Sequence, residues 1–225
     1  MSDKAAYLTS DQIDDLLLSA RYGDLEDLES TLSPLLSSSS PSDLLASIKN
    51  DSANTLLHYA SANGHLEIVT YLLPHITLPL ALAQNESGNT PLHWAGLNGH
   101  LSVVRALVSH IESLERANPE EAKRMNVIFH PPTSSSTGEE KEDDGSERKL
   151  WDVRNRAGRG PMSEAQMREQ EEVVKFLLER MIDGPEGSTL QPAEPMPEKP
   201  STETTATDGV EQQTANLSLN GDDKP

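Results

Sequence analysis

Residues Asn89–Val108 read NTPLHWAGLNGHLSVVRALV, and residues Asn54–Leu73 read NTLLHYASANGHLEIVTYLL, 35 positions earlier. Each shared letter has a mechanical reading. Thr55 and Thr90 suit a helix N-cap, where a hydroxyl meets a free backbone N–H. Pro91 fits the first helical position, where its missing N–H is not needed. Gly64 and Gly99 follow about two and a half turns of helix and suit the left-handed residue that ends it. HLEIVTYLL and HLSVVRALV then carry apolar residues at helical spacing, predicting a second, antiparallel helix.

Self-similarity at a fixed period of about 33 residues marks a stacked-repeat architecture, and partial copies flank this pair on either side. LLLSARYGDLEDLESTL (Leu16–Leu32) breaks at Gly23 and continues through Leu25 and Leu28, with Ser10-Asp11 as the expected cap of its first helix. NRAGRGPMSEAQMREQEEVVKFLLERM (Asn155–Met181) begins with Gly160-Pro161-Met162, has Ser163 in place of the histidine and lacks the helix-ending glycine. The resulting expectation is an all-α solenoid of about four helix-turn-helix repeats, two full and two degenerate caps. Terminal repeats are atypical because one face of each meets water. The repeats span about 10–36, 50–80, 85–117 and 151–182 within a domain at 10–184, after a flexible start at 1–9.

Between the first two copies, SPLLSSSSPSDLLASIKN reads as a long connection. Residues 118–149 contain HPPTSSSTGEEKEDDGSERK and read as a disordered insertion, because this composition buries too little apolar surface to fold alone. Residues 185–225 read as a disordered acidic tail, interrupted by two leucines in ANLSLN (Ala215–Asn220).

Charge sharpens this division. The net charge is −19 over 225 residues. Residues 1–53 hold ten acids against three bases, whereas residues 54–109 hold two acids against one base. The repeated centre is thus nearly neutral and the flanks are acidic. Such a chain is repelled by nucleic acid and by anionic membranes and attracts a basic protein. No membrane partner and no direct nucleic-acid contact are expected. There is no cysteine, which excludes disulfides and thiolate metal sites and fits a reducing compartment. MSDKAAYLTSDQIDDLLLSA at the start has two aspartates within its apolar stretch and no cleavage signal, so it does not read as a secretory peptide.

Catalytic and metal constellations do not emerge. His58 and His93 are repeat equivalents, as are His65 and His100. Such residues sit about 10 Å apart along a stack and do not converge on one ion. His58 and His93 are expected to bridge backbone groups of neighbouring turns, and His65 and His100 to open the second helices. There is no Gly-x-Ser-x-Gly elbow and no phosphate loop. A protein without enzymatic activity, cofactor or metal is expected. RNRAGRG (Arg154–Gly160), the one basic cluster, reads as the turn tip of the last repeat.

Binding is read from the letters that folding leaves unexplained. In stacked helix pairs the turn tips and the exposed side of each first helix line a concave surface. The residues placed there are Tyr22, Asp24, Glu26 and Asp27 in the first copy, and Asp51, Tyr59 and Asn63 in the second. Glu86, Trp94, Leu97 and Asn98 follow in the third. Thr55, His58, Gly64, Thr90, Pro91, His93 and Gly99 are assigned to the framework. Tyr22, Tyr59 and Trp94 stand out, because aromatic side chains ringed by polar groups are what binding hot spots use.

Thr90-Pro91-Leu92-His93-Trp94-Ala95, with its earlier copy at Thr55–Ala60, resembles the signature of the ankyrin-repeat family. Members of that family are mainly binding modules, and an adaptor in signalling or transcription is one role the resemblance allows. SARYGDLEDL, LHYASANGHLEIVTYLL and GNTPLHWAGLNGHL, followed by an acidic tail with a late Leu-x-Leu-Asn, are more particularly similar to small fungal ankyrin-repeat chaperones of a ribosomal protein. Their client is protein number three of the small subunit, the KH-domain protein of the head. This resemblance implies a dedicated chaperone that binds one basic small-subunit ribosomal protein as a 1:1 complex. It would shield that client from aggregation and stray RNA during ribosome biogenesis, in the cytoplasm and nucleus.

Overall fold

Thr9, and not Ser10-Asp11, opens the first helix. Its N–H donates to Gln12 Oε1 at 3.0 Å, and the Gln12 N–H donates to Thr9 Oγ1 at 3.3 Å. This reciprocal pair is a capping box, which outcompetes a lone serine or aspartate cap because it satisfies two free donors together. From there the computed structural model describes residues 8–37, 40–130 and 148–182. The acidic tail at 185–225, the Ala215–Asn220 patch and residues 1–7 lie outside the described residues.

Four helix pairs follow one another: α1 (Ser10–Tyr22) with α2 (Leu25–Leu36), α4 (Leu56–Asn63) with α5 (Leu66–Leu72), α7 (Pro91–Leu97) with α8 (Leu101–Ala117), and α10 (Pro161–Met167) with α11 (Glu171–Ile182). The first helices stack α1 on α4, α4 on α7 and α7 on α10, while α5, α8 and α11 form the second layer. Leu16, Leu17, Leu28, Leu57, Ile68, Leu72, Leu92, Val104, Leu107 and Leu177 fill the space between the layers. Arg180 pairs with Glu112, and the Arg105 guanidinium sits 4.5 Å above the Phe176 ring. Both contacts join α11 to α8.

Sequence and structure disagree in two connections. The serine-rich link between the first two repeats contains α3 (Pro41–Ser47), which packs on α2 and buries Leu44 and Leu45, with Ile48 buried just beyond it. The segment expected to remain unfolded at 118–149 begins with another helix, α9 (Pro119–Phe129), lying against α8. Ala122 is buried, and Met125 and Phe129 are half-buried against the core. This spacing of three and four residues makes one helical face. The Ser, Pro and Glu content further along masked that short stripe. Residues 131–147 lie outside the described residues.

The fourth repeat is structurally complete despite its weak spelling. Glu169 takes the left-handed conformation, φ 58°, where the other repeats use glycine. A Cβ on Gly64 would meet the His100 ring at 2.5 Å, and one on Gly23 would meet the His65 ring at 2.6 Å. Gly99 stands in the same relation to Gln170, so a glutamine fills the place that histidine fills in the earlier repeats.

The turn tips form a hydrogen-bonded ladder. Asn85 Nδ2 donates to Asn54 Oδ1, and Asn155 Nδ2 donates to Asn89 Oδ1, both at 2.8 Å. The Glu86 N–H donates to Ser52 O at 3.0 Å and the Arg156 N–H to Ser87 O at 3.1 Å. At the left-handed corner of these tips the second repeat has Ala53, φ 60°, where the later tips have Gly88 and Gly158. A side chain costs about 1–2 kcal/mol in this conformation, and glycine returns part of that gain as unfolded-state entropy. Ala53→Gly is therefore expected to stabilise the domain by about 0.5 kcal/mol, measured as a raised urea midpoint at unchanged slope.

Candidate binding surface

The framework residues determine what remains for binding. His58 accepts the Thr55 N–H at Nδ1, 3.2 Å away, with Thr55 Oγ1 2.9 Å from the same nitrogen. Nδ1 is therefore the bare nitrogen, and Nε2–H donates across the repeat boundary to Asn89 O at 3.0 Å. His93 repeats the arrangement with Thr90 and Arg159 O. Burial depresses both pKa values to about 4, against the pull of those backbone carbonyls. They bridge backbone groups of neighbouring turns, as expected of them, and do so as neutral rings. His65 and His100 stand at the N-caps of α5 and α8, with Nε2 at 2.9 Å from Arg21 O and 3.0 Å from Ala62 O.

The residues assigned to binding divide into tethered and free groups. Asp24 caps α2, its Oδ1 accepting the Asp27 N–H at 3.1 Å, and Asp27 Oδ2 accepts the Ser19 hydroxyl at 2.6 Å. Asn63 Nδ2 donates to Tyr59 O, and Asn98 Nδ2 donates across the boundary to Ala62 O at 2.7 Å. Tyr59 is half-buried, its hydroxyl accepting from Asn50 Nδ2 at 3.0 Å. Tyr22 is 73% exposed, with the Arg21 guanidinium 6.0 Å from its ring. Glu26, Asp51 and Glu86 are exposed, whereas Trp94 and Leu97 are half-buried.

Two clefts gather these residues. One, of about 530 Å³, lies between α1 and α2 and brings together Tyr22, Asp24 and Asp27 with Asp15 and the exposed Leu18. The other, of about 270 Å³, lies between α7 and α10 and joins Trp94 and Leu97 to Arg159, Glu164, Met167 and Arg168. Glu26, Asp51, Tyr59, Asn63, Glu86 and Asn98 line neither.

Sequence reading passed over Leu18, Glu164, Met167 and Arg168. Glu164 falls one residue after the position that carries histidine in the earlier repeats. Its Oε1 accepts from Asn155 Nδ2 at 2.7 Å and from Arg159 Nε at 2.8 Å. Burial pushes its pKa up, but those two hydrogen bonds prevail and hold it below the usual carboxylate value. Among the described residues no three His, Asp or Glu are grouped to hold a metal ion, and no helix is long and apolar enough to cross a membrane.

Comparison with known proteins places this arrangement. Residues 16–118 match the family model for ankyrin repeats in three copies. The ankyrin repeat-containing protein Yar1 of Saccharomyces cerevisiae is 38% identical over 71 residues, 31% of this chain and 34% of Yar1, so the match spans about a third of the yeast protein's length. A chain in the crystal structure of the yeast ribosomal protein Rps3 in complex with its chaperone Yar1 superposes with a TM-score of 0.52 at 28% identity. That superposition covers 77% of this chain and 95% of the other. The fold is an ankyrin-repeat solenoid, and the chain that builds it resembles the chaperone of Rps3.

Proposed function

We propose that this protein is a dedicated chaperone of a basic small-subunit ribosomal protein, of the Rps3 type, and that it acts by binding alone. The likeness to a chain of the Rps3–Yar1 crystal structure carries the reading. The charge supports it independently: a chain of net charge −19, with seven of those charges in residues 1–53, attracts a basic client over long range. The client is captured electrostatically, settles on the aromatic side chains of the first three repeats, and is shielded there from aggregation and from stray RNA. Ribosomal RNA, the denser polyanion, displaces the chaperone when the client is assembled. A carrier of this kind works as a monomer in a 1:1 complex and travels with its client between cytoplasm and nucleus.

Isothermal titration of the purified full chain with Rps3 tests this reading. Trp94→Ala combined with Tyr59→Ala is expected to weaken binding by about 2 kcal/mol or more, as truncation of central aromatic anchors does. Circular dichroism of the variant checks that the repeats remain folded. Affinity is also expected to fall as salt rises from 0.05 to about 0.5 M, because screening shortens the reach of exposed charges. Undiminished affinity in the double variant removes the aromatic anchors from the mechanism, and salt-insensitive binding removes the capture step. Absence of any Rps3 complex, with a regulatory protein recovered instead, favours an adaptor.

A further inference from the structure

The cleft between α7 and α10 differs in charge from the cleft between α1 and α2. Its apolar wall is Trp94 and Leu97, both half-buried, with Met167, 62% exposed. Its polar wall is Glu164, Arg159 and Arg168. Glu164 is 6% exposed and already held by Asn155 and Arg159, so it offers nothing to an incoming cation. Among the described residues the Arg159 guanidinium is engaged only through Nε, and its side chain is 41% exposed. Arg168 is exposed and makes no ion pair or side-chain hydrogen bond among the described residues.

An apolar recess beside an unpaired guanidinium fits an apolar side chain followed closely by a carboxylate. A carboxylate completes the planar fork of arginine with two parallel hydrogen bonds. The recess itself disfavours a nucleic-acid strand, because two arginines in a cleft of a chain of net charge −19 are a poor footprint for a polyphosphate. The cleft of the first repeat, around Asp15, Asp24 and Asp27, has the reverse sign.

We propose that the α7–α10 cleft is a second anchor for the client, which takes an apolar-acidic segment through Trp94, Met167 and Arg168. This inference rests on the chaperone reading above and deepens it. The two ends of the stack then differ in sign: the cleft of the first repeat attracts cations, and the cleft between the third and fourth receives an anion. Electrostatic complementarity arranged in this way selects register and partner more than it adds raw affinity.

The test is titration of the full chain with Rps3 at one fixed salt concentration. Arg168→Glu is expected to weaken binding about tenfold and Arg168→Gln about threefold, by loss or reversal of one paired charge. Lys175→Glu, the same charge reversal on the second-layer helix α11 and outside the cleft, is expected to leave affinity unchanged. Reversing the matching client carboxylate to lysine is expected to restore most of the affinity for Arg168→Glu, which a merely misfolded repeat would not allow. Wild-type binding with no response to either Arg168 variant overturns the cleft and leaves the chaperone reading standing. No wild-type binding overturns the chaperone reading, and the anchor with it. Arg168-dependent binding of an oligo(U) RNA, with Rps3 affinity unaffected, overturns the choice of a protein carboxylate.

Discussion

Acidification from pH 8 to pH 5 is expected to remove about 4 kcal/mol of folding stability, about 2 kcal/mol from each of His58 and His93. Both rings are 1% exposed, and their pKa values lie at about 4 in the folded domain against 6.5 unfolded. The unfolded chain therefore binds more protons between those values. The stability contributed by the two neutral rings is complete above about pH 6.5 and is lost as the pH falls toward 4. The hydrogen bonds agree with that direction. Protonation at Nδ1 would set an N–H against the Thr55 or Thr90 N–H that the nitrogen now accepts.

His130, lowered by burial, acts in the same sense. Asp152 and Glu115 are raised by burial and act oppositely. Urea titrations across this range at fixed ionic strength measure the slope. His58→Gln with His93→Gln is expected to flatten it, since glutamine at the third helical position retains a capping box but does not titrate. A slope that survives the double variant assigns the acid sensitivity elsewhere.

Trp151→Ala is expected to destabilise the domain by about 3–5 kcal/mol, the usual range for emptying a buried aromatic site. Trp151 is fully buried between Leu150 and Val153, which are buried as well, at the entry to the fourth repeat. Its indole Nε1 has no hydrogen-bond partner among the described residues. Trp151→Phe removes that unsatisfied donor together with part of the volume, so a smaller loss, about 1–2 kcal/mol, is expected. Because repeats are stabilised by their nearest neighbours, the damage should concentrate in α10 and α11. Amide exchange is the measurement: protection lost across 161–182 with the first three repeats still protected is the expected pattern. Uniform loss along the chain would contradict nearest-neighbour coupling.

These two sites also mark the limits of what could be read in advance. The histidines were legible because each lies in a motif that occurs twice, and repetition separates a structural letter from a functional one. Trp151 occurs once, next to a segment whose composition argued against folding, and no periodicity announced its burial. α9 escaped for the same reason: three apolar contacts at 122, 125 and 129 are too few to outweigh the polar sequence after them. Of the residues that line the two clefts, Tyr22, Trp94 and Leu97 were legible because they are large and interrupt a polar pattern. Arg168 was not, since nothing local distinguishes an unpaired arginine from one in an ion pair.

By itself, the sequence determined the helix-pair unit, its four occurrences, the threonine caps of the second and third repeats, the bridging place of His58 and His93 and the acidic composition of the flanks. All of these are local or periodic, because a capping threonine, a left-handed glycine and an apolar stripe act within a turn or two of where they are written. Tertiary structure alone decided that Glu169 and Gln170 complete a fourth repeat without its customary letters. It also decided that Glu164 is neutralised by Asn155 and Arg159 and that Arg168 is left free beside Trp94 and Met167. Those outcomes depend on which side chain of one repeat meets which carbonyl or charge of the next, and stacking brings together residues as far apart as Asn89 and Asn155.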